Sequence, residues 1–223
     1  MRQVLNTQPL DVIPYQQGFI YSHKEYLANG NIKVSFHFFD QEIHISEPIV
    51  KSTYLQAKFG NSYRLIVEQL GDFITCDTSF FHNGAVAVHY KTGKLSIFSA
   101  AGNLILNSDL TYQDAVVECP AVDEKNIWFV VPEGNAVINY SPGEQSVLLR
   151  IGGGKSKAFD YPISVTKVLG TLYICNRNAH KIRTIKLEDY SVKDYREFDE
   201  PVYQYFQVYD KEYVVLDSGV WRL

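Results

Sequence analysis

The chain holds little cysteine, almost no helical periodicity, no long apolar run and no excess of positive charge. Its three cysteines, Cys76, Cys119 and Cys175, are odd in number and widely spaced. That excludes the dense, even framework of a small secreted disulfide scaffold. No C-x-x-C pair is present for a zinc knuckle. Each cysteine falls in an apolar run (FITC, VVEC, LYIC), which predicts buried thiols. No window approaches the ~18 apolar residues of a membrane-spanning helix. The opening MRQVLNTQPLDVIPYQQGF shows neither an apolar h-region nor a small-residue cleavage site, so a cytoplasmic protein with no membrane partner is expected. With 21 Lys and Arg against 25 Asp and Glu, the net charge is −4, which disfavours RNA as partner while leaving room for one basic face.

Several chemical signatures are also missing. The six histidines (His23, His37, His44, His82, His89 and His180) form no H-E-x-x-H. His37 and His44 fall on adjacent expected strands, where a structural pair on a sheet face is expected. There is no G-x-S-x-G nucleophile elbow. Gly152–Ser156 spells GGGKS, but a phosphate-binding loop would need glycine at position 149, which is Leu149. Pro162 and β-branched residues follow instead of a helix start, so no helix N-terminus faces an anion there.

What the chain does have is strands. Apolar residues reach 46% with 16 Tyr and 13 Phe, enough for a well-filled β-rich core. Runs of alternating or clustered Val, Ile, Tyr and Phe lie between turn signals such as Thr92-Gly93, Gly134-Asn135, Pro142-Gly143 and Ser218-Gly219. Three sets of four strands repeat between Phe73 and Glu200 at roughly 43 residues, a period of propeller blades. The middle strands align as GAVAVHYKTGKLSIF, KNIWFVVPEGNAVINY and GTLYICNRNAHKIRTI. Leu10–Ser46 supplies a further blade. The strands of 202–223 supply three more, with RQVLN as the fourth to close the ring and remove both edges. Val50–Gln56 and Tyr63–Gln69 read as two extra strands. The expectation is therefore one all-β domain, 1–223, a β-propeller of five or six blades, with a lean to six and one incomplete. The aromatic run VYQYFQVYDKEYVV is expected to pack between blades.

The stretch from Gly152 to Leu187 resembles an NHL-type propeller repeat. The resemblance rests on Gly152-Gly153-Gly154, Phe159, Pro162, the apolar strand to Val168, Gly170, Leu172–Cys175, Asn176–Asn178 and Ile182–Ile185. It covers one repeat moderately and about 130 residues weakly, since the upstream copies lack most of the signature glycines. It implies a binding module for protein partners, and in some members an RNA-binding basic face.

Strand direction alternates within a blade, so loops between its second and third strands share one face with the connectors between blades. That face collects Lys91, Lys94, Lys155, Lys157, Arg177, His180 and Lys181, with Glu133, His23 and Lys24. The opposite face collects Asp40, Glu42, Asp123, Glu124, Glu144, Glu188, Asp189 and Asp210, with Lys125 and Lys211. Sorted charge predicts an electrostatically steered docking face for a protein or small anionic ligand, with Lys155, Lys157, Arg177 and His180 as its contact residues. No cofactor is required by that reading.

An enzymatic alternative comes from a second resemblance. Glu118-Cys119-Pro120, followed by Asp123 and Ile127-Trp128, looks like the opening Glu-Gly-Pro strand of gluconolactonase-type propellers. That resemblance implies a metal-dependent lactonase or hydrolase holding calcium or another divalent cation at the axis, with Glu118, Asn176 and Asp217 as oxygen ligands. Cys119 replaces the glycine, and the following blade carries Tyr161-Pro162 where Asn-Gly is expected.

Overall fold

A computed structural model of the chain describes residues 1–27 and 29–223. Twenty of its 22 strands form five four-stranded antiparallel sheets set around an axis as the blades of a propeller. The first blade is β2 (Asp11–Tyr15), β3 (Gly18–Tyr26), β4 (Ile32–Asp40) and β5 (Ile45–Pro48). The second is β6 (Cys76–Phe80), β7 (Val86–Tyr90), β8 (Lys94–Phe98) and β9 (Leu104–Asp109). A small hairpin, β10 (Thr111–Tyr112) and β11 (Ala115–Val116), leads into the third blade. That blade is β12 (Glu118–Asp123), β13 (Asn126–Val131), β14 (Ala136–Ser141) and β15 (Ser146–Gly152). The fourth is β16 (Pro162–Val168), β17 (Thr171–Asn176), β18 (Lys181–Lys186) and β19 (Val192–Glu197). The fifth is β20 (Val202–Val208), β21 (Lys211–Leu216) and β22 (Gly219–Arg222), completed on its outer edge by β1 (Arg2–Leu5).

The ring thus closes through the pairing of β1 with β22, as the strand pattern anticipated. The blade number is five, and the lean toward six is corrected. The segments that read as two extra strands are helices, α1 (Lys51–Phe59) and α2 (Tyr63–Gln69). In α1 the buried residues Tyr54, Leu55, Lys58 and Phe59 recur at helical spacing, and Gly60 ends the helix at φ 77° with its N–H on Gln56 O. Ile66 and Val67 favour a strand by propensity, but packing between two blades overrides that preference.

The core is five clusters, each set between two neighbouring blades, because a blade must bury both faces. Ala87, Leu95 and Ile97 meet Ile127, Phe129 and Ile138 between the second and third. Trp128, Val130 and Val137 meet Val165, Leu172 and Ile174 between the third and fourth. Phe19, Tyr21 and Phe39 meet Phe206, Tyr213 and Val215 between the first and fifth, as the aromatic run around 202–215 predicted. Between the first and second blades both helices enter the cluster, with Tyr54, Phe59 and Ile66 against Ile20, Val86 and Phe98. Tyr54 also stacks on Phe36, centroids 4.4 Å apart. The helices fill one wider wedge of the ring.

GGGKS is the connector from β15 to β16. Gly152, Gly153 and Gly154 all have positive φ, and a Cβ at Gly152 would lie 2.7 Å from the Phe159 ring. Their role is a left-handed backbone turn. Cys76 and Cys175 are buried and Cys119 is partly so, all as free thiols. Burial pushes the thiols of Cys76 and Cys175 up to about 12. No described helix is long and apolar enough to cross a membrane.

Candidate functional site at the propeller axis

The innermost strands β2, β6, β12, β16 and β20 begin on one face of the ring, and their first residues surround a funnel of about 570 Å³. Each blade contributes: Asp11 and Val12, Cys76 and Asp77, Glu118 and Cys119, Ile163 and Ser164, Tyr203 and Gln204. Lys91, from the turn between β7 and β8, and Arg177, from the turn between β17 and β18, reach the same wall.

Three of these strands share a local device. Pairing with the second strand slips between Glu118 and Ala121, between Pro162 and Ser164, and between Val202 and Gln204. A bulge re-aims the residue it displaces. The displaced positions include Cys119, Ile163 and Tyr203, and all three line the funnel. Tyr161, at φ 52° just before β16, is held by two asparagines. Its N–H donates to Asn135 Oδ1 (2.7 Å), and the N–H of Asp160 donates to Asn176 Oδ1 (3.1 Å).

The electrostatics are built around a buried lysine. Lys58 of α1 is 1% exposed, and its Nζ donates to Asp11 Oδ2 (2.7 Å), Tyr54 Oη (3.1 Å) and Ile74 O (3.3 Å). Burial works to lower its pKa, but the fields of Asp11 and Tyr54 outweigh that and raise it, so the ammonium stays charged. Tyr54 Oη also donates to Asp11 Oδ2 (2.7 Å). Asp11 is therefore paired with an ammonium from behind the wall.

Asp77 is different. Burial first, then the nearby Asp11 charge, raises its pKa to about 6, against the opposing pull of Lys58 and Lys91. A carboxyl so tuned holds or releases a proton close to neutral pH. Lys91 Nζ lies 3.7 Å from Glu118 Oε2, a pairing that offsets the third acid of the wall. Arg177 lies opposite in charge and in company. Its guanidinium sits 5.5 Å over the Tyr203 ring, and among the described residues no carboxylate is within ion-pair distance of it.

A second cavity of about 560 Å³ on the same face shares Lys91, Glu118 and Tyr161 with the funnel. The β10–β11 hairpin and Arg150 form its far side, with Arg150 Nη1 donating to Gln113 Oε1 (3.3 Å).

The expected contact residues are only partly brought together. Arg177 lines the funnel, whereas Lys155 and Lys157 are exposed on the GGGKS connector and line neither cavity. His180 is half-buried in the β17–β18 turn, where its carbonyl accepts the Phe198 N–H. The basic face is also more paired than sorted charge suggested. Lys181 meets Asp194 (3.6 Å) and Glu197 (3.4 Å). Of the three oxygen donors expected for a metal, Glu118 alone lines the funnel. The buried Asn176 amide is spent on the backbone of Asp160 and Ile174, and Asp217 accepts from Tyr203 Oη (2.6 Å). His37 and His44 do not meet. His44 contacts Arg2 (3.2 Å), and His37 stacks on His23.

Asp11, Lys58 and Asp77 are not singled out by the sequence, Tyr203 is read there only as packing between blades, and Tyr161 only as a departure from the Asn-Gly pattern. The one signal for the tyrosines is a proline beside each bulged innermost strand, in Tyr161-Pro162 and Pro201-Val202-Tyr203. Nothing local marks the acids.

No family model matches the chain, and no curated protein sequence matches it. Among solved structures it is similar to a catalytically inactive virginiamycin B lyase from Staphylococcus aureus with quinupristin. There the TM-score is 0.55 at 9% identity, covering 97% of this chain and 80% of that one. It is also similar to the RRP9 WD40 repeats, with TM-score 0.52, 9% identity and 94% and 58% coverage. U3-55K follows at TM-score 0.51, 10% identity and 98% and 65% coverage. The chain spans less than two thirds of the last two. At these identities the likeness establishes the propeller fold and leaves the chemistry to the site.

Proposed function

We propose that the protein is a binding propeller that takes an anionic group, a carboxylate or phosphate on a small ligand, into its axial funnel. The observation that carries this is Arg177, a guanidinium at the funnel wall held over Tyr203 and without a carboxylate partner among the described residues. A planar guanidinium of this kind offers paired donors to a carboxylate or phosphate. Tyr161 and Tyr203 supply flat apolar surface beside it, and the Asp77 carboxyl supplies a hydrogen-bonding group across the funnel. Lys155 and Lys157, exposed on the connector between the third and fourth blades, raise the potential of that face and steer approach. The NHL-like pattern of Gly152 to Leu187 supports a binding role, since that family is a family of interaction modules.

The test is a thermal-shift and calorimetric panel of inorganic phosphate, di- and tricarboxylates and nucleotides against the full chain. A saturable ligand whose affinity falls at least about tenfold in Arg177→Glu is expected, equivalent to about 1.4 kcal/mol. Binding untouched by Arg177→Glu, or no binder in the panel, overturns the reading. Lys155→Glu with Lys157→Glu should slow association and weaken its salt dependence while leaving dissociation unchanged.

A second reading is favoured by Asp77 alone. A carboxyl raised to about 6, beside Glu118 and Asp11 in a concave site, suits general acid–base work on a bound hydroxyl or carbonyl compound. Turnover of a funnel ligand that is lost in Asp77→Asn, with binding retained, distinguishes an enzyme from a pure binder.

A further inference from the structure

The hairpin of β3 and β4 is longer than its blade. β2 pairs with β3 only as far as Ser22, and β5 pairs with β4 only as far as His37, so residues 23–26 and 32–35 project past both neighbours. The projection leaves from the face that carries the funnel. Its two sides differ. Phe36 and Phe38 turn toward the helices, whereas Phe19, Tyr21 and Phe39 pack on the fifth blade.

Side chains alternate along a strand, so His23 and Glu25 continue the Phe19 and Tyr21 side of β3. In register, Ser35 stands opposite His23 and His37 opposite Tyr21, which puts all four polar residues on that same side. The imidazoles of His23 and His37 stack with centroids 4.8 Å apart, each also stacked on the Tyr21 ring, at 5.9 and 5.3 Å. Both Nε2 atoms approach one hydroxyl: Ser35 Oγ is 3.2 Å from that of His23 and 3.3 Å from that of His37. Glu25 Oε1 lies 3.6 Å from His23 Nε2. One donor atom from each of His23, Glu25 and His37 falls within a sphere where all are no more than 4.8 Å apart.

We propose that His23, His37 and Glu25 form a binding site for a divalent transition-metal ion of the zinc type on this projecting hairpin. Two imidazole nitrogens and one carboxylate oxygen are the donor set of zinc, cobalt and nickel, and a poor set for calcium or magnesium. Side-chain rotations bring such donors onto one ion at about 2.0–2.2 Å. Three protein ligands leave a position open to water or to a ligand, the arrangement of a reactive or sensing site, where a closed structural site would have four. His23 Nδ1 is buried and has no hydrogen-bond partner among the described residues, so no hydrogen bond is lost if that nitrogen takes the ion.

The experiment is calorimetric titration of the metal-stripped full chain with Zn²⁺ and Ni²⁺, alongside the visible spectrum of the Co²⁺ form. One equivalent should bind, with cobalt d–d bands of a four- or five-coordinate N/O site. The affinity should fall at least about tenfold in His37→Asn and in His23→Asn, and the bands should disappear. Glu25→Gln lies at a half-buried position on the projecting hairpin and should weaken zinc without unfolding the chain, which keeps the test decisive should an imidazole variant lose its fold. Arg177→Glu should leave metal binding unchanged, separating this site from the funnel. No saturable binding, or binding retained in His37→Asn and Glu25→Gln, overturns the proposal.

Discussion

Replacing Lys58 with methionine is the sharpest perturbation of the site's architecture. The substitution keeps an unbranched apolar stem of similar length and deletes an ammonium that is 1% exposed. Three acceptors lose their donor: Asp11 Oδ2, Tyr54 Oη and Ile74 O. Removing one member of a buried ion pair costs about 3–5 kcal/mol, because the partner is left charged and uncompensated. The Asp11 side chain is 17% exposed into the funnel and keeps the Tyr54 hydroxyl, so water and one donor relieve part of the loss. The lower end, about 3 kcal/mol, is the expected cost. For a chain of this length that lowers Tm by roughly 6–12 °C. Urea unfolding should show a reduced midpoint with an unchanged slope. Lys58→Met combined with Asp11→Asn should recover part of the loss, since the buried charge is then gone, giving a coupling of about 1–3 kcal/mol. Lys58 is also one of the charges that hold the Asp77 pKa down, so the single variant should titrate Asp77 above about 6. A cost below about 1 kcal/mol, no rescue in the double variant and an unmoved Asp77 would refute this account of the wall.

Three further outcomes follow from buried groups and the ring seam. Asp77 has a folded pKa of about 6 against an ordinary 3.8, so the folded state binds its proton more tightly, and stability falls as pH rises through that interval. Asp77→Asn should match the parent near pH 4 and exceed it by up to about 3 kcal/mol above pH 6, read as urea midpoints across pH. His89 is fully buried against Phe129, neither ring nitrogen has a partner among the described residues, and burial lowers its pKa to about 4. The unfolded chain therefore takes the proton first, and stability is lost as pH falls from about 6.5 to 4. His89→Leu should add roughly 1 kcal/mol at pH 7 and flatten that acid limb. At Gly219, φ is 126° and a Cβ would lie 2.1 Å from Leu5 O, so Gly219→Ala should part β22 from β1. A loss of roughly 2–4 kcal/mol, with faster amide exchange in residues 2–5, is the expected signature.

The later blades were legible because each repeats four strands with turn residues at matching offsets, as in KNIWFVVPEGNAVINY and GTLYICNRNAHKIRTI. The helices were not. Ile66-Val67 carries strand propensity, and only the wedge between the first two blades makes a helix the better use of those residues. Charge sorting places Arg177 on the face where the funnel opens but cannot show that Lys91 and Lys181 already have carboxylate partners. Asp11 and Asp77 are invisible in the sequence for a different reason. With Glu118, which the Glu118-Cys119-Pro120 resemblance marks, they lie in three separate blades, and only ring geometry brings them to one wall. Similarly, His23 and His37 meet through a diagonal across a hairpin, a relation set by register and absent from any fixed spacing.

The seam between β1 and β22 also dictates a timetable. Gln3 Nε2 donates to Ser218 O across 215 positions of chain, and the same blade buries Val220 against Val12 and Phe19. Blades two to four can collapse on their neighbours as they emerge from the ribosome, but the earliest strand must stay unpaired until the latest one is made. Through that interval an apolar edge lies open, the condition that favours slow closure and pairing with another copy. A second molecule's Arg2–Leu5 would fit β22 equally well. Concentrated refolding should therefore yield strand-exchanged dimers, and a short covalent link across the seam should suppress them.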